Sequence, residues 1–267
     1  MMKTLKIWML LCLGLCASVA FARKGYVEQK IYVTAFDELE IGSTYIATIE
    51  KSDSYEIVLE VPEQLMTYAR TKVVNEKVML AFDMDRMSRG ERQYMNDHRP
   101  YVRIKAPAFR DLKLHGAASL KLKGNFNLGE VDLEVSGASA CEAEMLKAKK
   151  MEMEVSGASN IKVRELVADD LEMEISGASN CNLSSVEANK MEVDLSGASR
   201  LDMRAFAKHA DVDVSGMGTI NWQPLNGKVG ERLDVEVSGM SKVDAEKVRF
   251  HKVYQEVSGM SKLKIGK

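Results

Sequence analysis

The sequence predicts an all-β fold: a right-handed parallel β-helix, a three-sheet solenoid of about 20 residues per coil, with a β-rich N-terminal cap. Three observations carry this prediction: a tetrapeptide that returns at nearly fixed spacing, strict alternation of apolar and charged residues around it, and a period too short to hold a helix. The tetrapeptide is Ser-Gly-Ala-Ser at 136–139, 156–159, 176–179 and 196–199, with a degenerate start at Gly116 and drifted copies around Gly216, Gly239 and Gly259. Successive glycines stand 21, 20, 20, 20, 19, 23 and 20 residues apart. Eight such units bury their apolar faces only by stacking.

Aligned on the glycines, the units give columns. Two residues before Gly stand Leu114, Val135, Val155, Ile175, Leu195, Val214, Val237 and Val257. The next apolar column back runs Leu112, Leu133, Met153, Met173, Val193, Val212 and Val235, with Tyr254 assigned to it in the last unit. Charged residues such as Glu134, Glu154, Glu174, Asp194, Asp213, Glu236 and Glu256 fall between them, which is the period-2 pattern of a strand. Columns four and six residues past Gly (Leu120 to Leu263, Leu122 to Ile265) make a second strand. Pairs at nine and eleven, clearest in Leu146/Ala148, Leu166/Ala168 and Val186/Ala188, make a third.

Gly137, Gly157, Gly177 and Gly197 are read as structural residues at the corner between first and second strands, where φ > 0 is free of a Cβ penalty. The serines beside them serve the turn. A nucleophile-elbow reading fails because the motif recurs without any recurring histidine. A leucine-rich repeat has similar length, but its asparagine position has no counterpart here.

Residues 1–22 read as a secretory signal peptide: Lys3 and Lys6, an apolar stretch from Ile7 to Cys16, and Ala20-Phe21-Ala22 as the cleavage site, with cleavage after Ala22. The chain is thus expected to be exported to the periplasm, cell surface or medium, with no transmembrane anchor. The full chain holds 37 basic and 39 acidic residues; without the leader it carries 35 against 39, a balance that does not suggest nucleic acid. Cys141 and Cys181 then remain, two coils apart, too far for a disulfide. Both read as buried hydrophobes.

Residues 23–111 lack the repeat and read as a β-rich capping region of the same domain, followed by the parallel β-helix at 112–267. Asn75-Glu76 between Val73-Val74 and Val78 suggests a tight hairpin. From Asp83 to Pro100 the alternation dissolves into a charged loop holding Arg86, Arg89, Arg92 and Arg99, a second candidate for ligand contact.

The stretches Ala35–Gly42, Val102–Pro107 and Leu112–Ala117, together with the Ser-Gly-Ala-Ser units, resemble the bacterial auto-transporter adhesin, head GIN domain family. That resemblance spans essentially the whole exported chain. It implies a secreted or envelope-exposed β-helical domain and brings no catalytic residues. The chain departs from the simplest pattern where Ala after Gly becomes Met217, Met240 and Met260.

No catalytic residue, cofactor site or metal site is assigned. Carboxylates are so abundant that glycosidase-like spacings arise between any neighbours, and His98, His115, His209 and His251 are dispersed; only His209, near Arg204 and Asp211, approaches a mixed constellation. The reading is a non-enzymatic adhesion or binding domain, its first candidate surface being Glu152, Glu154, Glu172, Glu174, Glu192 and Asp194. The expected partner is an extracellular glycan or surface protein, with oligomeric state open. The alternative is a carbohydrate-active enzyme on the same scaffold, a polysaccharide lyase or hydrolase. A purely architectural envelope role comes third.

Overall fold

The computed structural model describes residues 23–266; the leader predicted from the sequence lies outside them. In the N-terminal region, β1 (Tyr26–Ile31), β2 (Glu38–Ile41), β3 (Ile46–Lys51), β4 (Glu56–Pro62), β5 (Ala69–Val74) and β6 (Lys77–Phe82) precede helix α1 (Arg89–Asp97) and β7 (Tyr101–Ala106). The first repeat holds β8 (Asp111–Leu114), β9 (Ser119–Asn127) and β10 (Glu130–Val135). Then come four long, bent strands, β11 (Ala140–Val155), β12 (Asn160–Ile175), β13 (Asn180–Leu195) and β14 (Arg200–Val214). The chain finishes with β15 (Thr219–Pro224), β16 (Val229–Val237), β17 (Lys242–Ala245), β18 (Arg249–Val257) and β19 (Lys262–Ile265).

Each long strand is three short ones joined at corners. Between β11 and β12 the parallel register runs from Ala140↔Asn160 to Val155↔Ile175 and lapses at Glu144 and Lys149, so one coil contributes to three faces. The expected three-sheet solenoid is the observed fold. Its core is one continuous cluster in which a typical coil buries Ile161, Val163, Leu166, Ala168, Leu171, Met173 and Ile175. Full burial of a large aliphatic side chain is worth about 1.5–3 kcal/mol, which lets such a stack hold together without disulfides. Cys141 and Cys181 are free and buried, separated in register by Ile161.

Two constraints meet at the motif glycine. Gly177 has φ +74°, and a Cβ there would lie against the Gly157 carbonyl oxygen and within 2.9 Å of its amide nitrogen. Stacking therefore excludes a side chain independently of the backbone angle. The Gly157 carbonyl accepts the Ala178 N–H at 2.7 Å, which links corner to corner along the rod.

The irregular spacings are absorbed at the next corner. The extra residue of the 21-residue unit forms a bulge at Gly124 (φ +94°), opposite the shift between Ala143 and Met145. In the 19-residue unit pairing jumps from Leu183↔Met203 to Val186↔Ala205. The 23-residue unit places a turn at Asn226-Gly227, both with positive φ. In the last coil Val235 pairs with Gln255, not Tyr254. Tyr254 sits opposite Asp234 and is exposed, a correction of its expected apolar column.

The N-terminal region is partly solenoid itself. β2 pairs in parallel with β8 and β3 with β9, so residues 38–51 form a coil whose corner is Ser43 (φ +59°) in place of glycine. On top of it β6 pairs with β2 and β7 with β3, making another coil that the chain builds out of order. The antiparallel β5–β6 hairpin turns through Asn75 and Glu76, both at positive φ, as the sequence predicted. Antiparallel β4 and β1 finish the edge beside β7. Buried Glu60 in this cap is met by Arg103 and Arg23, and Arg23 also lies 3.7 Å over the Tyr101 ring.

The predicted loop at 83–100 is largely helix. Ser88 caps α1 with a reciprocal pair: its Oγ accepts the Glu91 N–H, while Glu91 Oε2 accepts the Ser88 N–H at 2.7 Å. Only Met95 of this helix is buried, which explains why no apolar periodicity announced it.

Candidate functional site

The acidic face is built by register. Because strands stack residue on residue, charges at one position of each coil form a column down the rod, with neighbours about 4.8 Å apart. One column, five residues before the glycines, runs Asp132, Glu152, Glu172, Glu192, Asp211 and Asp234. The next, three residues before them, runs Glu134, Glu154, Glu174, Asp194, Asp213, Glu236 and Glu256. All six carboxylates chosen from the sequence lie in these two columns.

The two columns differ in how their charge is met. In the first, every second carboxylate is met: Lys150 pairs with Glu152, Lys190 Nζ lies 3.3 Å from Glu192, and Arg232 forks onto Asp234 with a 2.9 Å Nη2–Oδ1 bond, while Asp132, Glu172 and Asp211 have no ion-pair partner among the described residues. The Arg232 hydrogen bond holds the Asp234 carboxyl below its usual range. In the second, Lys113 meets Glu134 at 2.8 Å, but Glu154, Glu174, Asp194, Asp213, Glu236 and Glu256 have no ion-pair partner among the described residues. Lys147, Lys149, Lys162 and Arg164 form no ion pair with either column among the described residues. Burial, and then the charges of Glu236 and Asp194, push the Asp213 carboxyl above its ordinary value. Burial and Asp234 do the same to Asp211.

A shallow groove of about 380 Å³ follows the lower half of the second column, lined by Asp194, Asp213, Glu236 and Glu256 and by Ser196, Ser215, Ser238 and Ser258. Asp213, Glu236, Glu256 and these serines were not among the predicted site residues. Their signal was present all the same, in the fixed offset from each glycine.

The arginine cluster does not converge. Arg99 spends its guanidinium on the Thr44 and Ala117 carbonyls at 2.9 and 2.7 Å, and Arg92 on those of Met87 and Met84 at 3.2 and 2.6 Å. Arg86 and Arg89 are exposed without such contacts among the described residues. His209 Nε2 lies 3.5 Å from Glu231, and Arg204 belongs to a different face, opposite Gln223. Among the described residues no group of three or more His, Cys, Asp or Glu side chains is arranged to hold a metal ion. No helix among them is long and apolar enough to cross a membrane.

These features define a capped parallel β-solenoid whose exposed chemistry is a ladder of carboxylates. The chain belongs to the family described as "Putative auto-transporter adhesin, head GIN domain", whose model matches residues 35–223 and again 171–266. Solved structures share the fold. One described as a "putative adhesin" from Bacteroides fragilis is 15% identical with a TM-score of 0.66, covering 91% of this chain and 99% of its own. Another "putative adhesin", from Parabacteroides merdae, is 17% identical with a TM-score of 0.66, covering 91% and 98%. A "putative lipid binding protein" from Parabacteroides distasonis is 15% identical with a TM-score of 0.59, covering 91% and 98%. No functionally curated protein shows significant sequence similarity to the chain.

Proposed function

We propose that this chain is an exported, non-catalytic adhesion domain that holds its ligand along the column Glu154, Glu174, Asp194, Asp213, Glu236 and Glu256. The observation that carries the reading is a run of six successive carboxylates without ion-pair partners among the described residues, next to a column in which Lys150, Lys190 and Arg232 pair with three of six. Adjacent like charges at this spacing repel by about 1 kcal/mol even in bulk water, a standing cost that a cationic ligand removes. The ligand is a basic or cation-bridged polymer outside the cell, a glycan or a surface protein, laid along the rod so that its repeat meets successive carboxylates. A column of this sign disfavours anionic lipid headgroups, so the lipid described for one structural neighbour is not carried over.

The test is a glycan and matrix-protein binding array, run beside a polysaccharide-degradation screen, with wild type and the E154Q/E174Q/D194N variant. Binding without turnover, weakened by the variant and by added salt, is the expected result. Equal binding by the variant removes the column from the site, and release of products overturns the non-catalytic reading.

A further inference from the structure

We propose that Met217, Met240 and Met260 form a thioether site for a soft monovalent d10 cation, Cu(I) or Ag(I), on the outer corner of the last three coils. Each is the residue after a corner glycine. Their N–H groups donate to the carbonyls of Gly197, Gly216 and Gly239, each at 2.8 Å, so the three occupy one column in consecutive coils. They are 57, 56 and 74% exposed and contribute nothing to the core. The same corner position in the preceding coils is held by Ala117, Ala138, Ala158, Ala178 and Ala198, so the turn itself requires no long side chain. Exposing three large thioethers side by side, where a methyl group suffices, is the feature the fold leaves unexplained.

The thioether is a neutral, polarisable donor that selects soft cations such as Cu(I), whereas Mg2+, Ca2+ and Mn2+ prefer oxygen. Three rotatable bonds per side chain let the outer two sulfurs lean toward the middle one across coils about 4.8 Å apart. The neighbouring groove presents Asp213, Glu236 and Glu256 on these same coils, and their negative field raises the local concentration of cations. Most other soft donors are out of reach: Cys141 and Cys181 are buried, as are Met151, Met153, Met173, Met191 and Met203, and the half-buried Met66, Met79, Met84 and Met145 lie outside the last three coils. This site is distinct from the carboxylate column and does not depend on that column binding a polymer.

The test is titration of the purified protein with Ag(I), and with Cu(I) under anaerobic reducing conditions, followed by NMR of 13C-methyl-labelled methionine and by competition with a coloured Cu(I) chelator. About one equivalent is expected to shift the Met217, Met240 and Met260 methyl resonances and leave the buried methionines in place. M240L should weaken binding at least tenfold, and M217L/M240L/M260L should abolish it while preserving the circular dichroism spectrum. A cysteine-free C141A/C181A variant should bind as wild type does. The proposal is overturned if the three methyls do not respond, if the triple variant still binds, or if binding is lost with the cysteines. Because leucine keeps the apolar ridge, a ridge that serves only an apolar partner would keep that contact in the triple variant while the metal titration of the wild type stayed silent, which also overturns the proposal.

Discussion

The two serines that flank a motif glycine serve opposite sides of the wall. Ser196, Ser215, Ser238 and Ser258 line the outer groove, while Ser179 and Ser199 are buried, with Oγ atoms 3.5 and 3.4 Å from the Gly157 and Gly177 carbonyls. The sequence shows that both are needed at the turn and hides which faces inward, since a corner breaks the period-2 rule that assigns faces elsewhere. Gly177→Val places a side chain against the neighbouring coil at positive φ. It should lower unfolding free energy by about 2–5 kcal/mol, measured by denaturant titration. An unchanged midpoint contradicts the corner geometry. Asp213 supports a prediction of opposite sign. Its carboxyl is raised from 3.8 by burial and by Glu236 and Asp194, so the folded state binds its proton more tightly than the unfolded chain does. The resulting stability is present below pH 3.8 and is lost as pH rises through the folded value. Asp213→Asn should therefore raise the melting midpoint at pH 7, with the gain shrinking toward pH 3.5. Equal gains at both pH values would show that the shift is not electrostatic.

At the scale of elements, the repeat was legible because every coil obeys one rule, whereas the cap obeys it with substitutions. The coil at 38–51 escaped detection because Ser43 replaces the glycine, and the coil above it because residues 83–100 interrupt it between β6 and β7. The hairpin at Asn75-Glu76 could be read because a tight turn writes itself in two adjacent residues. Helix α1 could not: a short helix with one buried residue leaves no stripe, and its capping box was the remaining trace. The arginines of this insertion divide by task. Arg99→Ala leaves the Thr44 and Ala117 carbonyls without their donor and should cost about 2–3 kcal/mol in thermal or chemical unfolding. Arg86→Gln with Arg89→Gln should leave stability unchanged, and a large loss there would mean that the exposed pair has a structural role.

For the whole molecule, charge and closure are distributed unevenly. The N-terminal end is sealed by β1, β4 and the β5–β6 hairpin, whereas among the described residues nothing stacks on the last coil. Val257 is 47% exposed, although the same column is at most 2% exposed from Leu114 to Val237. Among the described residues strand β19 pairs only with β17, and Lys262 and Lys264 line this open edge. Such lysines discourage pairing with another chain. The K262T/K264T variant should therefore associate end to end with rising concentration in sedimentation velocity, and monomers at all concentrations would count against a guarding role. The acidic columns were visible as spacing, but the difference between them was not. It depends on which lysine or arginine reaches which carboxylate across a coil, and a column alignment does not encode that reach.

The out-of-order start of the coil stack gives the rod a mechanical polarity. β2 and β3 are each held on both sides, β2 between β6 and β8 and β3 between β7 and β9. Tension applied through β19 meets an edge strand and unzips the solenoid one coil at a time, breaking a few hydrogen bonds per step. Tension applied through the N-terminal end peels β1 from β4 and then reaches strands locked between neighbours, which must shear as a block. A rod of this build yields at its last coil before its first, so the load it can bear depends on which end carries the force.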